Sequence, residues 1–160
     1  MKKSRIITLL FVVVLIFTFA GCSSQSQDYN AKYFGVVKYA ETKHNCSEKD
    51  RKEVQQVLDD IENAFCYDDI NEDCNEKLGV LSKYCLCKND YPDVVREKHT
   101  IDFVTAKITG NSGYIWIRYN QEGFDGKSDE PLTGSWDILS RIEIAKKDGK
   151  WVAVFVDEAP

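Results

Sequence analysis

The chain has 160 residues, with 21 Lys and Arg against 26 Asp and Glu, a net charge of −5 and six cysteines. That acidic balance argues against nucleic acid and against broad contact with anionic lipid headgroups. The length fits one domain with one core beyond an N-terminal segment, and no internal repeat is visible.

Lys2, Lys3 and Arg5 precede an almost wholly apolar run from Ile6 to Phe19, which closes on Ala20-Gly21-Cys22. Basic, apolar and small residues in that order make a secretory signal. A retained membrane helix needs about 20 apolar residues, whereas this run is shorter and ends in Gly-Cys. The cysteine after small residues resembles the lipobox of bacterial lipoproteins, with Phe19 where Leu is commoner. The resemblance implies cleavage after Gly21 and a diacylglycerol on Cys22. Two or three acyl chains, at about 0.8 kcal/mol per buried methylene, exceed the marginal hold of a single chain. The mature protein is therefore expected outside the cytoplasm, lipid-anchored to the bacterial cell membrane. Loss of residues 1–21, with three basic and no acidic side chains, takes the net charge to about −8. Residues 22–30 include Ser23-Ser24-Gln25-Ser26-Gln27-Asp28 and are too polar to bury a core, so they read as a flexible tether. Residues 31–160 then form a single domain.

Tyr33, Val36, Val37 and Ala40 recur at helical spacing and predict a short helix over 30–43. Ser47 offers an N-cap to a second helix over 48–66, whose apolar stripe is Val54, Val57, Leu58, Ile61, Ala64 and Phe65. The acidic stretch 68–73 lacks the alternating ligands, central Gly and terminal Glu of a calcium loop, and reads as a solvated turn. Leu78, Leu81 and Tyr84 predict a weaker helix over 74–86.

Acylation of Cys22 would leave Cys46, Cys66, Cys74, Cys85 and Cys87, and export favours disulfides among them. If the second and third helices form an antiparallel hairpin, Cys66 and Cys74 flank its turn and Cys46 returns near its open end. The expected bridges are Cys66 with Cys74, and Cys46 with either Cys85 or Cys87, leaving one thiol over. On the chain-entropy account the wider bridge would stabilise by about 3–4 kcal/mol. His44, Cys46, Cys85 and Cys87 could in principle offer zinc one nitrogen and three sulfurs, but Cys-x-Cys spacing is a poorer chelate than Cys-x2-Cys. No metal or cofactor is expected, and Cys-x-x-Cys redox chemistry is absent.

After Pro92 the apolar period changes from 3.6 to 2. The first strand, over 95–109, carries Ile101 and Phe103 on one face but Val104, Ala106 and Ile108 on the other, which predicts a bulge near Phe103. A turn at Gly110-Asn111-Ser112-Gly113 leads to a strand over 113–120 with bulk on both faces, read as central. A loop over 122–131 follows. The third strand, over 132–146, alternates Trp136, Ile138, Ile142 and Ile144 against Asp137, Arg141 and Glu143. Asp148-Gly149 predicts a type I′ hairpin into the last strand, over 151–157. Helices followed by four hairpin-linked strands make an α+β domain with helices packed on one antiparallel sheet.

The Trp136-Asp137-Ile138 strand followed by Lys146-Lys147-Asp148-Gly149-Lys150-Trp151, after an amphipathic helix and a bulged strand, resembles the closing hairpin of NTF2-like (cystatin-like) lipoproteins of bacteria. The resemblance spans about 48–158 and implies a curved four-stranded sheet wrapped as a cone. In that fold Tyr114, Trp116, Arg118 and Trp136 would line the mouth, suited to an amphipathic or anionic small molecule. The alternative is that the aromatics fill the cone and Arg118 pairs with Glu143. Catalysis finds little footing: His99 and Asp102 fall on opposite faces of a strand, and no nucleophile elbow or phosphate loop is present. The expectation is a non-enzymatic, lipid-anchored envelope protein that binds a protein partner, with a small-molecule receptor using the cone as the alternative.

Overall fold

The first described helix starts at Ser24. The computed structural model describes residues 24–67, 74–86 and 91–159, and the chain divides into two units, Met1–Tyr39 and Ala40–Pro160. Cys22 and the segment read as a signal lie outside the described residues. Helix α1, Ser24–Ala40, takes in part of the stretch expected as a tether, and Gly35, at φ 75° and ψ 150°, breaks it into two pieces. That break disrupts the stripe read from Tyr33, Val36 and Val37, all three of which are exposed. Tyr33 packs edge-on against Phe34 with ring centroids 5.2 Å apart.

The second unit opens with a 3-10 turn, Glu41–Lys43. Helix α2, Glu48–Glu53, starts where the Ser47 hydroxyl accepts the Asp50 amide at 3.0 Å. Helix α3, Gln55–Phe65, follows after a single residue, Val54, at φ −88° and ψ −1°. The one helix expected over 48–66 is thus two, sharing a buried hinge. Helix α4, Cys74–Leu78, gives way to a 3-10 turn, Gly79–Tyr84. Gly79, at φ 56°, takes the left-handed conformation that ends an α-helix.

Strands β1 (Arg96–Thr109), β2 (Ser112–Phe124), β3 (Thr133–Lys147) and β4 (Lys150–Ala159) form an open antiparallel meander in the order β1-β2-β3-β4. The register shifts between Phe103 and Thr105, at the place the apolar phase predicted. The extra residue, Val104, lets Ile101, Phe103, Ala106 and Ile108 all meet the same core. A second shift lies opposite Asn120, where β3 has one residue more than β2 and Asp137 takes φ 58°. A third lies beside Glu143, where β4 has one residue more than β3. Bulges bend the strands that carry them.

The inner face of the sheet contributes Ala106, Ile115, Ile117, Tyr119, Ile142, Ile144, Trp151 and Val156 to the core, against Val54, Val57, Ile61, Ala64, Phe65, Leu81 and Tyr84. Each large side chain there stabilises by roughly 1.5–3 kcal/mol relative to exposure. The class is α+β, with an open four-stranded antiparallel sheet.

The expected disulfides are not made among the described cysteines. Among the described residues, no two of Cys46, Cys66, Cys74 and Cys85 lie at disulfide distance. The helix expected over 74–86 is cut to five residues by the left-handed Gly79 and continues as a 3-10 turn. Cys46 donates instead to the Ser47 carbonyl and Cys85 to that of Tyr67. Cys87 lies outside the described residues.

Candidate functional site

Three of the four residues read as a pocket wall share the outer face of β2, opposite the helices, because they alternate with core-facing Ile115 and Ile117. Trp116 is wholly buried, and its indole N–H donates to Glu41 Oε2 at 3.1 Å. Tyr114 is half-buried under the Arg141 guanidinium, 5.2 Å from its ring, and burial together with the Glu41 charge pushes its hydroxyl pKa up. Arg118 pairs with Asp137, at 2.6 Å, rather than with Glu143. Glu143 is taken by Arg141, also at 2.6 Å. Trp136 does not continue the Ile138–Ile144 row. The bulge at Asp137 turns it so that its indole donates to Glu122 Oε1 at 2.9 Å, and it stays 53% exposed. Its ring lies over Gly134, where a Cβ would come within 2.7 Å.

A different cluster gathers chemistry. Glu62 on α3 and Cys66, which caps its C-terminal end, stand four residues apart and so share a helix face. His99 on β1 faces them, its Nε2 2.9 Å from Glu62 Oε1 and its ring stacked on Phe65 with centroids 5.2 Å apart and 22° between planes. One donor atom from each of Glu62, Cys66 and His99 lies within 4.8 Å of the others. Among the described residues these three are the ones that could hold a metal; His44, Cys46 and Cys85 do not converge. Partial burial, then the charges of Glu62 and Glu97, push the Cys66 thiol pKa up, so Cys66 is held as a thiol rather than a reactive thiolate.

His99 also stands between two clefts. One, of about 300 Å³, is lined by Phe65, Cys66, Tyr67, Val94, Val95, Arg96, Glu97 and His99. The other, of about 430 Å³, runs past Lys98, Thr100, Asn120 and Glu122. Neither is lined by Tyr114, Trp116, Arg118 or Trp136. Behind His99 the aromatic layer is solid: Phe65 stacks on Tyr84 at 4.8 Å and meets Tyr119 at 5.0 Å. Tyr119 in turn donates to Glu158, whose carboxyl pKa is pushed up by burial.

Strand alternation puts Asp102 on the face opposite His99. The bulge falls after Phe103, so Asp102 stays opposite Arg118 on the outer face while the carboxylate comes from α3. The legible signal was Glu62-x-x-x-Cys66, which marks one helix face but does not say which strand lies across it. No protein-family description matches this chain, and no curated protein matches it.

Proposed function

We propose that this chain is a bacterial lipoprotein, anchored through Cys22 outside the cytoplasm, whose NTF2-like domain binds a protein partner of the cell envelope and does no chemistry of its own. The observation that carries this is the contrast between a filled interior and an apolar rim. Phe65, Tyr84, Ile115, Ile117 and Ile142 pack, at most 1% exposed, between helices and sheet. Four large apolar side chains instead stand exposed around one end of the sheet: Tyr91 at 41%, Val95 at 68%, Leu132 at 54% and Trp136 at 53%. Backbone bonds from Val95 to Phe124 and from Leu132 to Gly123, with the Trp136–Glu122 bond, place three of them about the same tip of β2. Aromatic and aliphatic side chains left exposed together mark surfaces that another protein covers. The lipid anchor rests on the lipobox resemblance, and the NTF2-like assignment rests on the Trp136 strand and the Asp148-Gly149 hairpin.

A receptor using the cone has less support, since Trp116 is sealed and Arg118 is already paired. The contact between Glu62 and His99 favours a second reading, acid–base catalysis. Against it stands the 56% exposure of the Glu62 side chain, which keeps the pair in water. The test is a photo-reactive aromatic residue at Trp136 in the full-length protein, irradiated in intact envelopes, with the same probe at Lys150 as control. One discrete adduct of higher mass from position 136 and none from 150 is expected. No adduct, or the same adducts from both positions, would overturn partner binding at this rim.

A further inference from the structure

We propose that Glu62, Cys66 and His99 bind a zinc ion with three protein ligands, leaving the fourth position open to the cleft beside β1. One oxygen, one sulfur and one imidazole nitrogen make a donor set of intermediate softness, which suits zinc better than calcium or magnesium. A tetrahedral ion with bonds of about 2.0–2.3 Å holds its ligand atoms roughly 3.3–3.8 Å apart. The three donors lie within 4.8 Å of one another, with nitrogen and oxygen at 2.9 Å. Small side-chain rotations therefore complete the set without moving the backbone.

The supports around the donors are of the kind metal ligands need. Glu62 and the C-cap residue Cys66 are fixed one turn apart at the end of α3. The His99 ring is held by its stack on Phe65, so its nitrogen is aimed before an ion arrives. Glu97, on the same cleft as Cys66 and His99, adds a further negative charge that favours a cation. The cleft gives the ion an entry path and gives water, or a ligand group from a partner, the fourth position. Binding replaces the Cys66 S–H bond with an S–Zn bond and releases that proton to solvent.

The test uses full-length protein in detergent, reduced and freed of metal, with Co²⁺ as the probe because its spectrum reports both sulfur ligation and geometry. Wild type should show a thiolate-to-cobalt charge-transfer band and tetrahedral ligand-field bands that saturate at one Co²⁺ per chain, and Zn²⁺ should bleach them. Cys66→Ser, at an exposed position, should lose the charge-transfer band, and Glu62→Gln and His99→Gln should each weaken Co²⁺ binding at least tenfold. Cys46→Ser should leave the spectrum unchanged. Absence of the charge-transfer band from wild type, or its persistence in Cys66→Ser with an unchanged circular dichroism spectrum, overturns the site.

Discussion

Glu41 ties together groups from both central strands. Its carboxylate accepts from Trp116 Nε1 on β2, and from Arg141 on β3 at 2.7 Å through Nε and 3.2 Å through the second terminal nitrogen. Burial alone would lower the Arg141 pKa, but the bonds to Glu41 and Glu143 outweigh that and raise it. The Arg141 side chain is 9% exposed and that of Glu41 23%, so water competes poorly for either. Breaking a buried pair costs about 3–5 kcal/mol when it strands a charge. Here Glu143 stays with Arg141, so Glu41→Ala should cost less, about 2–3 kcal/mol in urea unfolding, and Glu41→Gln roughly half of that. A change for Glu41→Ala under about 0.5 kcal/mol would show that the contact does not stabilise the sheet. This arrangement was illegible in the sequence, because the two partners lie 100 residues apart and each looks like an ordinary surface charge. The same holds for Glu62 and His99, 37 residues apart.

At the scale of elements, legibility followed local physics. The first bulge was readable because the apolar positions change phase between Phe103 and Val104. The bulge at Asp137 was not, because Trp136 and Ile138 keep an unbroken alternation in the sequence while the backbone adds a residue between them. The positive φ of Asp137, 58°, and its bonds to Arg118 and Asn120 fix that kink through side chains distant in sequence. The last hairpin was readable, since only Asp-Gly among nearby dipeptides suits two left-handed residues, and Asp148 and Gly149 adopt φ 49° and 80°. Asp148→Ala should therefore cost about 1 kcal/mol in thermal or urea unfolding, while Asp148→Gly should stay within about 0.5 kcal/mol of wild type. Equal losses from both would show that the turn draws on the aspartate side chain rather than on its backbone conformation. The helix over 74–86 came out shorter for the converse reason: Gly79, at φ 56°, was available to end α4, and period counting alone gave its conformation no weight.

For the whole molecule, the α+β class was accessible from the switch between periods 3.6 and 2, whereas the site was not, since it is assembled by the packing of α3 on β1. Among the described residues no helix is long and apolar enough to cross a membrane. The proposed membrane attachment rests on Cys22 through the lipobox resemblance. Cys22→Ala should yield either an uncleaved precursor or protein released into the soluble fraction, read by fractionation and intact mass. Normal cleavage with full membrane retention would refute the lipid anchor.

The clasp at Glu41 bears on how the domain would withstand traction through the proposed anchor. Any tug on the chain ahead of residue 41 reaches Trp116 and Arg141, on β2 and β3, the two strands hydrogen-bonded along both flanks. The same segment is tied to edge strand β1 as well, where the Thr105 hydroxyl donates to the His44 carbonyl at 2.8 Å, so a load would be shared by three neighbouring strands.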